Sequence, residues 1–541
     1  MRDAQARQGG RRGLDAPEGV DAVTTAIATT SEDPGELFQP MPADKLAGIF
    51  AAYDRDRAGM TSISAALSNA NLVQHFVAAN LHERDRGMLT IERLGALEPA
   101  VKALDAHYWQ MALDLTDVLD SMPQARRDQW HDQIEQRKAP PFERSSVLRT
   151  LQEMLDQRVT FFAERVDGIF QALSREHLTN RPEGFSKRMI IARAHDGIGT
   201  NYQTVGYIHD LRCVVAKLLG RDEPRRTLTI RAIEFGRKSM CGKWLELDGG
   251  ALRMRVYKIG TAHLEVHEEV AWRLNQVLAY LHPGAIPAPH RERPRVRQHR
   301  DYLLFDNPIA PAILDVLANG MIGSSVFGER CVVLRRGDED PFALAAAERV
   351  LVALGGQKAL AYAWQFNYPI YTVINLVISS GKIPDGEAHQ YYPTPREMAE
   401  RMVKAADIKP GERVLEPSAG QGHITEFILT GHLVAVEVSD VHCAILRASG
   451  VKDVRCDDFL TWRDGVFAKV VMNPPFAGGR AIRHLEHAAT MVAPGGRIVA
   501  LLPAGLASKD VLPGWSLTWS ERMPFPGTSI EVVMLVAEAP R

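Results

Sequence analysis

Apolar and polar positions divide the chain into stretches of different pattern. Residues 1–40 are rich in Gly, Ala, Thr, Asp and Pro and lack periodic apolar positions, which predicts a disordered tail. Between residues 41 and 180, apolar residues recur three and four positions apart, as at Leu148, Leu151 and Leu155, which predicts a helical region. Residues 181–300 combine helical spacing with strand-like alternation, as over 251–258, and predict an α+β domain. Helical spacing then predicts a helical linker region over 301–385.

The last stretch, residues 386–541, alternates apolar strands with helical segments. Apolar runs over 413–416, 433–437, 469–472 and 497–502 predict strands, and residues 515–537 predict a closing hairpin. Thr394 and Pro395 predict the start of a helix, because Thr caps helices and Pro is favoured in their first turn. This alternation predicts an α/β domain with a Rossmann-like sheet, preceded by a mostly helical and an α+β region.

A glycine-rich turn follows the first of these strands. Residues 416–422 have the sequence Glu-Pro-Ser-Ala-Gly-Gln-Gly, and Ile424, Phe427 and Ile428 follow at helical spacing. Glycines let the backbone pass close beneath a nucleoside ligand, as in the first turn of Rossmann folds. A lone Gly-x-Gly is a weak signal, so the neighbouring segments decide its meaning.

Two acidic positions follow at spacings that suit a bound nucleoside. Glu437 ends the strand 433–437, where such folds place an acid on the ribose hydroxyls. Asp457, Asp458 and Phe459 put an acid and an aromatic ring where they could hold an adenine ring. Asp458 is favoured over Asp457 because it directly precedes the aromatic residue.

The strand 469–472 delivers the tetrad Asn473-Pro474-Pro475-Phe476 to its carboxyl end, where ligands bind in open α/β sheets. The prolines cannot donate backbone hydrogen bonds and stiffen the chain, so that a carbonyl and the Asn carboxamide can both point at one amino group. The tetrad alone could also be a strand-ending turn. Its position after the helix start, the glycine turn and the two acidic positions favours a catalytic role.

With these motifs in this order, residues 391–541 resemble the gamma-type S-adenosylmethionine-dependent methyltransferases that modify exocyclic amino groups of DNA bases, adenine N6 above all. The resemblance implies that Asn473 and Pro474 accept the hydrogens of the target amino group and that Phe476 stacks on an adenine flipped out of duplex DNA. It includes Pro475 in the catalytic tetrad and implies direct in-line methyl transfer without a strong general base. The residues that it implies for binding S-adenosylmethionine are Thr394, Glu416, Pro417, Ser418, Ala419, Gly420, Gly422, Glu437, Asp458 and Phe459.

A second resemblance concerns the N-terminal part of the chain. Residues from about 145 to 300 resemble an uncharacterised domain that precedes adenine methyltransferase domains in phages and prophages, on the basis of 256–264 and Leu274-Asn275. The residues that follow Phe476 are enough to complete the sheet and no more. We therefore hypothesise that DNA recognition lies in the N-terminal region.

The overall composition gives no independent argument for a nucleic-acid partner. The chain has 64 Lys and Arg against 66 Asp and Glu, a net charge of −2. Two local groups of basic residues leave phosphate contact and an ordinary solvated surface equally open. They are Arg221, Arg225, Arg226, Arg231, Arg237 and Lys238, and Arg291, Arg293, Arg295, Arg297 and Arg300.

We expect a cytoplasmic protein without metal or membrane contact. The cysteines are scattered without a C-x-x-C pair, which fits a reducing compartment, and no apolar run reaches the roughly 18 residues of a membrane span. His263 and His267 miss the H-E-x-x-H spacing of a metal site. His484 and His487 lie on a predicted helix, where solvated or packing roles are the default. Phe525 is explained equally well as a second base-stacking residue or as a core or loop aromatic.

Other activities remain open from the sequence. The tetrad does not separate adenine N6 from cytosine N4 or from adenine in RNA, and enzymes that methylate a glutamine amide in proteins use a closely similar tetrad. A DNA-binding protein with an inactive methyltransferase fold is a further alternative, against which the intact set of site residues argues. No endonuclease signature accompanies the motifs, so a solitary enzyme is favoured over a fused restriction system.

Overall fold

The computed structural model describes residues 43–67, 96–116, 118–173, 180, 184–185, 188–196, 199–293, 304–323, 328–335, 340–383, 392–430, 432–526 and 528–541. The predicted tail, residues 1–40, lies outside these ranges. So do Arg295, Arg297 and Arg300 of the second basic group.

The N-terminal part of the described chain is helical. It contains α1 (Ala43–Leu67), α2 (Leu97–Asp114), α3 (Val118–Ser121), α4 (Gln124–Glu135), α5 (Arg144–Asp156) and α6 (Arg158–Gln171). The fully buried Trp109 lies at the centre of its core, in contact with the rings of Trp130 and Phe142. Its indole Nε1 donates to the carbonyl of Pro140 at 2.8 Å, so this buried polar atom is satisfied.

A four-stranded antiparallel sheet with helices on one face follows. Its elements are β1 (Arg188–Ile191), α7 (Tyr202–Leu218), α8 (Arg226–Lys238), β2 (Leu245–Leu247), β3 (Leu252–Val256), β4 (Ala262–Val266), α9 (Glu268–Leu281) and α10 (Ala288–Arg291). The strand order is β1-β4-β3-β2. Strand β3 has the predicted alternation, because Leu252, Met254 and Val256 are buried whereas Arg253 and Arg255 lie on the other face.

Residues 304–383 differ from the expected helical linker, because they contain a second small sheet. The stretch comprises α11 (Pro311–Asn319), β5 (Met321–Ile322), β6 (Cys331–Val333), α12 (Pro341–Ala353), β7 (Gln357–Leu360), β8 (Ala363–Gln365) and α13 (Tyr371–Ser380). The strand order is β5-β6-β8-β7. Strands of two to four residues are too short to produce a recognisable alternation, which explains why the sequence pattern missed them.

The C-terminal part is built on an eight-stranded sheet. Its elements are α14 (Arg396–Ala406), β9 (Val414–Pro417), β10 (Leu433–Glu437), α15 (Asp440–Ala448), β11 (Asp453–Cys456), β12 (Phe467–Met472), α16 (Arg480–Ala489), β13 (Val492–Pro503), β14 (Ser516–Trp519), β15 (Met523–Pro524) and β16 (Glu531–Glu538). The strand order is β11-β10-β9-β12-β13-β16-β14, and β15 pairs with β16. Strands β9 to β13 are parallel, whereas β16 runs antiparallel to β13 and β14. This is the predicted Rossmann-like α/β class, with the direction of winding reversed between β9 and β12.

Both faces of this sheet are buried, as in doubly wound folds. Val471 and Val499 pack with α14 on one face, and Val470 and Ile498 pack with α16 on the other. One expected helix is shorter than predicted: a single 3-10 turn, Thr425–Phe427, follows the glycine turn. The chain reaches β10 a few residues later, which leaves no room for a longer helix.

Two cysteines that the spacing did not pair lie side by side. Cys443 on α15 and Cys456 at the end of β11 have Cα atoms 6.0 Å apart, with their sulfur atoms within bonding distance. Helix α15 connects the neighbouring parallel strands β10 and β11, and this crossover brings the two residues together.

Candidate functional site

The carboxyl ends of β9, β10, β11 and β12 meet around a cavity of about 470 Å³, next to the point where the winding of the sheet reverses. Ligands of open α/β sheets bind at this position. Most of the predicted site residues line the cavity: Thr394, Glu416, Ser418, Ala419, Gly420, Glu437, Asp458, Phe459, Asn473, Pro474, Pro475 and Phe476. Pro417 and Gly422 do not line it. Pro417 is the buried last residue of β9, and Gly422 closes the turn behind the cavity wall.

The glycine turn has an unusual backbone at three positions. Ser418, Gly420 and Gly422 have φ angles of 59°, 57° and 90°, in the left-handed region that favours glycine. A Cβ atom on Gly422 would lie 2.6 Å from Thr425 Oγ1 and 2.9 Å from Leu446 Cδ2. Gly422 therefore allows close packing of the turn, and its effect on the cavity is indirect.

Glu437 is fixed in the cavity wall by backbone donors. Its Oε2 accepts from the N–H of Gly420 and its Oε1 from the N–H of Ser439, each at 2.8 Å. Burial acts to raise the pKa of Glu437, but hydrogen bonding and charge from His442 and the two backbone donors outweigh it, so the pKa lies below its ordinary value. Glu437 is consequently a carboxylate that is ionised and held in place.

Glu416 has the opposite character. Its side chain is almost completely buried, with 2% exposed, and no hydrogen bond reaches its Oε2 within the described part of the protein. Burial, and secondly the negative charge of Glu437, hold the pKa of Glu416 well above its ordinary value. A buried oxygen without a hydrogen-bond partner costs free energy. A cation or a hydrogen-bond donor bound next to Glu416 Oε2 would therefore stabilise the site.

The acid and aromatic pair after β11 forms another wall of the cavity. Asp457 and Asp458 are both exposed and both line the cavity. Asp458 Oδ1 accepts from the N–H of Leu460 at 3.0 Å, and Asp457 Oδ1 accepts from the N–H of Asp458 at 2.9 Å. Phe459 is buried, and its ring lies against the imidazoles of His484 and His487 at 5.3 and 4.9 Å between centroids.

The tetrad lies directly after β12. The Nδ2 of Asn473 donates to the hydroxyl of Thr394 at 3.0 Å, so its Oδ1 is the atom that remains to accept a hydrogen bond from a substrate. Pro474 is buried, whereas Phe476 is half-buried and packs against apolar residues of both faces of the sheet. Thr394, predicted as a cofactor residue, thus also orients the side chain of Asn473.

Several residues of the cavity were missed or undervalued from the sequence. His484 lines the cavity, and its Nδ1 is 3.2 Å from Ser418 Oγ, so packing alone does not describe it. His442 Nδ1 is 3.8 Å from Glu437 Oε1. Phe525 is buried in the core and also lines the cavity, so its position agrees with the core role and leaves base stacking a prediction. The amphipathic spacing of α15 and α16 locates the two histidines on buried helix faces, but only the tertiary fold brings those faces to the cavity.

The first basic group is largely engaged within the protein. Arg231 donates to Asn375 Oδ1 at 2.8 Å and to the carbonyl of Ala318 at 2.7 Å. Arg225 Nε lies 3.0 Å from Asp315 Oδ2, and Arg221 donates to the carbonyl of Asp248 at 2.9 Å. Arg225 and Arg231 thus connect α8 and the residue before it to residues 304–383, and Arg221 contacts the turn after β2. These contacts weaken the interpretation of the group as a phosphate-binding surface.

The two histidines of the rejected metal motif have local roles. His267 Nδ1 accepts from the N–H of Glu269 at 3.3 Å and caps α9. The ring of His263 lies 4.7 Å from that of Tyr257. In the ranges that the structure describes, no three or more His, Cys, Asp or Glu side chains gather as metal ligands would. Within the same ranges, no helix has the length and apolar character of a membrane span.

A family model described as a domain of unknown function (DUF4942) matches residues 101–284. This range contains most of the helical part and the sheet β1-β4-β3-β2, and it overlaps the stretch for which we noted the second resemblance. No curated protein matches the chain.

Solved structures resemble a little over a quarter of the chain. TrmN from Thermus thermophilus is 20% identical with a TM-score of 0.25, over 28% of this chain and 51% of its own. NodS, an N-methyltransferase from Bradyrhizobium japonicum WM9 in complex with S-adenosyl-l-homocysteine, is 16% identical with a TM-score of 0.24, over 29% and 94%. A modification subunit assigned to a type I restriction enzyme of Vibrio vulnificus YJ016 is 18% identical with a TM-score of 0.24, over 29% and 46%. The chain spans about half the length of the first and third of these proteins, and its fold class is defined by the strand order itself.

Proposed function

We propose that the protein is an S-adenosylmethionine-dependent methyltransferase that modifies the N6 amino group of an adenine flipped out of duplex DNA. One observation carries the proposal: the Asn473–Phe476 tetrad and the glycine turn with Glu437 line the same cavity, at the carboxyl ends of adjacent strands. A methyl donor and an amino acceptor held in one cavity can react directly, because proximity supplies much of the rate enhancement.

The described residues fit the cofactor. The unpartnered Oε2 of the buried Glu416 would be satisfied by the ammonium group of the methionine part. Glu437, ionised and fixed by backbone donors, suits the ribose hydroxyls, while Asp458 and Phe459 would hold the adenine ring. Thr394, Ser418, Ala419 and Gly420 would line the methionine part, with Pro417 and Gly422 shaping the turn. When bound, S-adenosylmethionine supplies an electrophilic methyl group.

The tetrad activates the target nitrogen by accepting hydrogen bonds. The lone pair of an exocyclic amino group is delocalised into the base, so the nitrogen is a weak nucleophile. Asn473 Oδ1 and the Pro474 carbonyl would each accept one N–H of that group and favour a tetrahedral nitrogen, whose lone pair can attack. Thr394 holds the carboxamide in the required orientation through its hydrogen bond to Nδ2. The proton released after transfer passes to solvent, so no strong general base is needed.

Two aromatic side chains on the tetrad side of the cavity suit a planar base. Phe476 and Phe525 both line the cavity, and an amino group inside a duplex is out of reach until its nucleotide is flipped into such a pocket. Stacking on aromatic rings stabilises a flipped base. This feature favours a nucleobase over the amide of a glutamine side chain, which has no ring to stack.

Transfer of labelled methyl groups to a panel of duplex DNA, RNA and protein tests the proposal. We expect label in DNA from the full-length protein and a loss of at least about a hundredfold with Asn473→Ala, since removal of one transition-state hydrogen bond has this order of effect. Asn319→Ala, at an exposed position of α11, is the matched control and should behave as wild type. Label in RNA or protein but not in DNA would reject the assigned substrate.

We further propose that the region matched by the family model contributes to DNA recognition. The described residues after β12 form α16 and the strands β13 to β16 of the sheet, so the N-terminal region is the part of the described chain that we assign to reading the DNA. Ultraviolet crosslinking of the full chain to duplex DNA, followed by peptide mapping, should give crosslinked peptides within 101–284 as well as beside the tetrad. Crosslinks confined to residues 386–541 would reject this assignment.

A further inference from the structure

Helix α16 joins the tetrad to the opposite side of the cavity. It begins four residues after Phe476, following the 3-10 turn Ala477–Gly479, and its buried face carries His484 and His487. The two imidazoles are 5% and 8% exposed. Both rings contact Phe459, and His484 itself lines the cavity.

His484 contacts the glycine turn as well. Its Nδ1 lies 3.2 Å from Ser418 Oγ. Ser418 has a φ of 59°, a conformation that costs free energy for a residue with a Cβ atom and persists only where its surroundings hold it. The hydroxyl of Ser418 is hydrogen-bonded to a side chain of α16, and this contact can stabilise the conformation of the turn.

The other histidine is anchored independently. His487 Nε2 is 2.9 Å from the carbonyl of Trp462, and His487 does not line the cavity. It supports Phe459 from behind, whereas His484 bridges Phe459 and Ser418. Burial lowers the pKa of His484 to about 4, so the imidazole is neutral at physiological pH and can share a hydrogen bond with a hydroxyl.

We propose that His484 is a positioning residue that holds Ser418 and Phe459 in the geometry that binds the cofactor. Through these contacts, His484 links α16, the helix that follows the tetrad, to the glycine turn and to Phe459. The proposal rests on the proposed function, since it assigns these two walls to S-adenosylmethionine. His484 takes no part in the chemistry. Its loss should therefore weaken cofactor binding and raise the KM for S-adenosylmethionine more than it lowers kcat at saturation.

Two substitutions separate the roles of the imidazole. His484→Phe keeps a ring against Phe459 but removes the bond to Ser418, whereas His484→Asn keeps a polar atom near the position of Nδ1 and removes the ring. By isothermal titration calorimetry with S-adenosylhomocysteine, we expect His484→Phe to bind about three- to tenfold more weakly than wild type, as for the loss of one hydrogen bond. His484→Asn should recover part of this loss. Glu486→Gln, at an exposed position of the same helix, is the matched control and should bind as wild type.

A double-mutant cycle with Ser418→Ala measures whether the two side chains depend on each other for binding of S-adenosylhomocysteine. A general loss of stability would not produce such a dependence. If the two side chains act through each other, His484→Phe should weaken binding of S-adenosylhomocysteine no further in a protein that already carries Ser418→Ala. Fully additive losses, or wild-type binding by His484→Phe, would overturn the proposal. If His484→Phe does not fold, the same cycle with His484→Gln decides the question. Wild-type protein that fails to bind S-adenosylhomocysteine would instead reject the proposed function, and this proposal with it.

Discussion

At the scale of single residues, the site combines two buried carboxyl groups in opposite states. Glu437 is stabilised as a carboxylate by two backbone donors, whereas Glu416 is buried with one oxygen unpartnered and a raised pKa. The negative charge of Glu437 contributes to the raised pKa of Glu416, so one of the two groups is ionised and the other favours its protonated form. The ionised Glu437 is therefore available to hydroxyl donors, and Glu416 becomes a partner for a cation only after losing its proton.

The pH dependence of cofactor binding follows from Glu416. Because the raised pKa leaves this group protonated at mildly acidic pH, binding of an ammonium group must release its proton. Affinity for S-adenosylhomocysteine should rise with pH through the acidic range until the raised pKa of Glu416 is passed and then level off. Calorimetry in buffers of different ionisation enthalpy should detect proton release at the lower end of this range.

Glu416→Gln is the control for this prediction. It should remove the proton release and weaken binding roughly ten- to a hundredfold at neutral pH, as for a hydrogen bond to a charged group. Equal proton release by wild type and Glu416→Gln would show that another group is responsible.

Thr394 offers a second test at this scale, through its bond to Asn473. Thr394→Val keeps the shape of the side chain and removes the oxygen that accepts from Asn473 Nδ2. The carboxamide then loses its fixed orientation, and we expect kcat to fall about tenfold, equivalent to about 1.4 kcal/mol. Thr394→Ser should retain most of the activity. A wild-type kcat for Thr394→Val in single-turnover measurements would contradict the role assigned to this bond.

At the scale of elements, the site depends on strand ends that the sheet brings together. The turn after β9 contributes Ser418 and Gly420, β10 contributes Glu437, and Asn473 follows β12. Parallel strands put these carboxyl ends on one edge of the sheet, so residues distant in sequence share one cavity. In the sharp turn after β9, three residues within five positions have a positive φ.

Gly422 tests that turn. Gly422→Ala would place a Cβ 2.6 Å from Thr425 Oγ1 at a φ of 90°, so we expect a loss of about 2–4 kcal/mol in the free energy of unfolding. Gly450→Ala, at a φ of 97° with no atom within 4 Å of the added Cβ, should cost about 1–2 kcal/mol. Chemical denaturation measures both changes. Equal losses would mean that backbone strain, rather than close packing, explains the glycine.

The sequence predicts the elements whose patterns are long or chemically distinctive. The apolar runs that form the strands of the C-terminal sheet, and the motifs at the ends of these strands, have such patterns. The predicted fold class is confirmed. The strands within 321–365 could not be predicted, because two to four residues cannot establish a hydrophobic period. His484 could not be identified either, since its helical spacing indicates burial but not which wall it meets. The sequence places Arg231 in a group of basic residues but does not indicate its partners, which lie on α13 and α11.

At the scale of the whole molecule, one apolar core joins helix α15 of the C-terminal part to the middle part of the chain. Val441, Ala444 and Ile445 of α15 belong to the same buried cluster as the sheet β1-β4-β3-β2 and helices α11 to α13. Gln421 in the glycine turn donates to the carbonyl of Ala353 at the end of α12, at 2.7 Å. The cofactor side of the candidate site is thus packed directly against residues 304–383.

This shared core predicts cooperative unfolding. Ile445→Ala should lower the free energy of unfolding by about 2–4 kcal/mol and shift a single calorimetric transition that includes both parts of the chain. Val352→Ala, on α12 with 56% of the side chain exposed, is the matched control and should have little effect. Two separate transitions, only one of which moves with Ile445→Ala, would contradict a common core.

The most direct measurement is nucleoside mass spectrometry of duplex DNA after incubation with the full-length protein and S-adenosylmethionine. The account predicts N6-methyladenine with wild type and only background with Asn473→Ala, although that variant still binds S-adenosylhomocysteine. N4-methylcytosine in place of N6-methyladenine, or N6-methyladenine formed equally well by Asn473→Ala, would contradict the assignment of the tetrad.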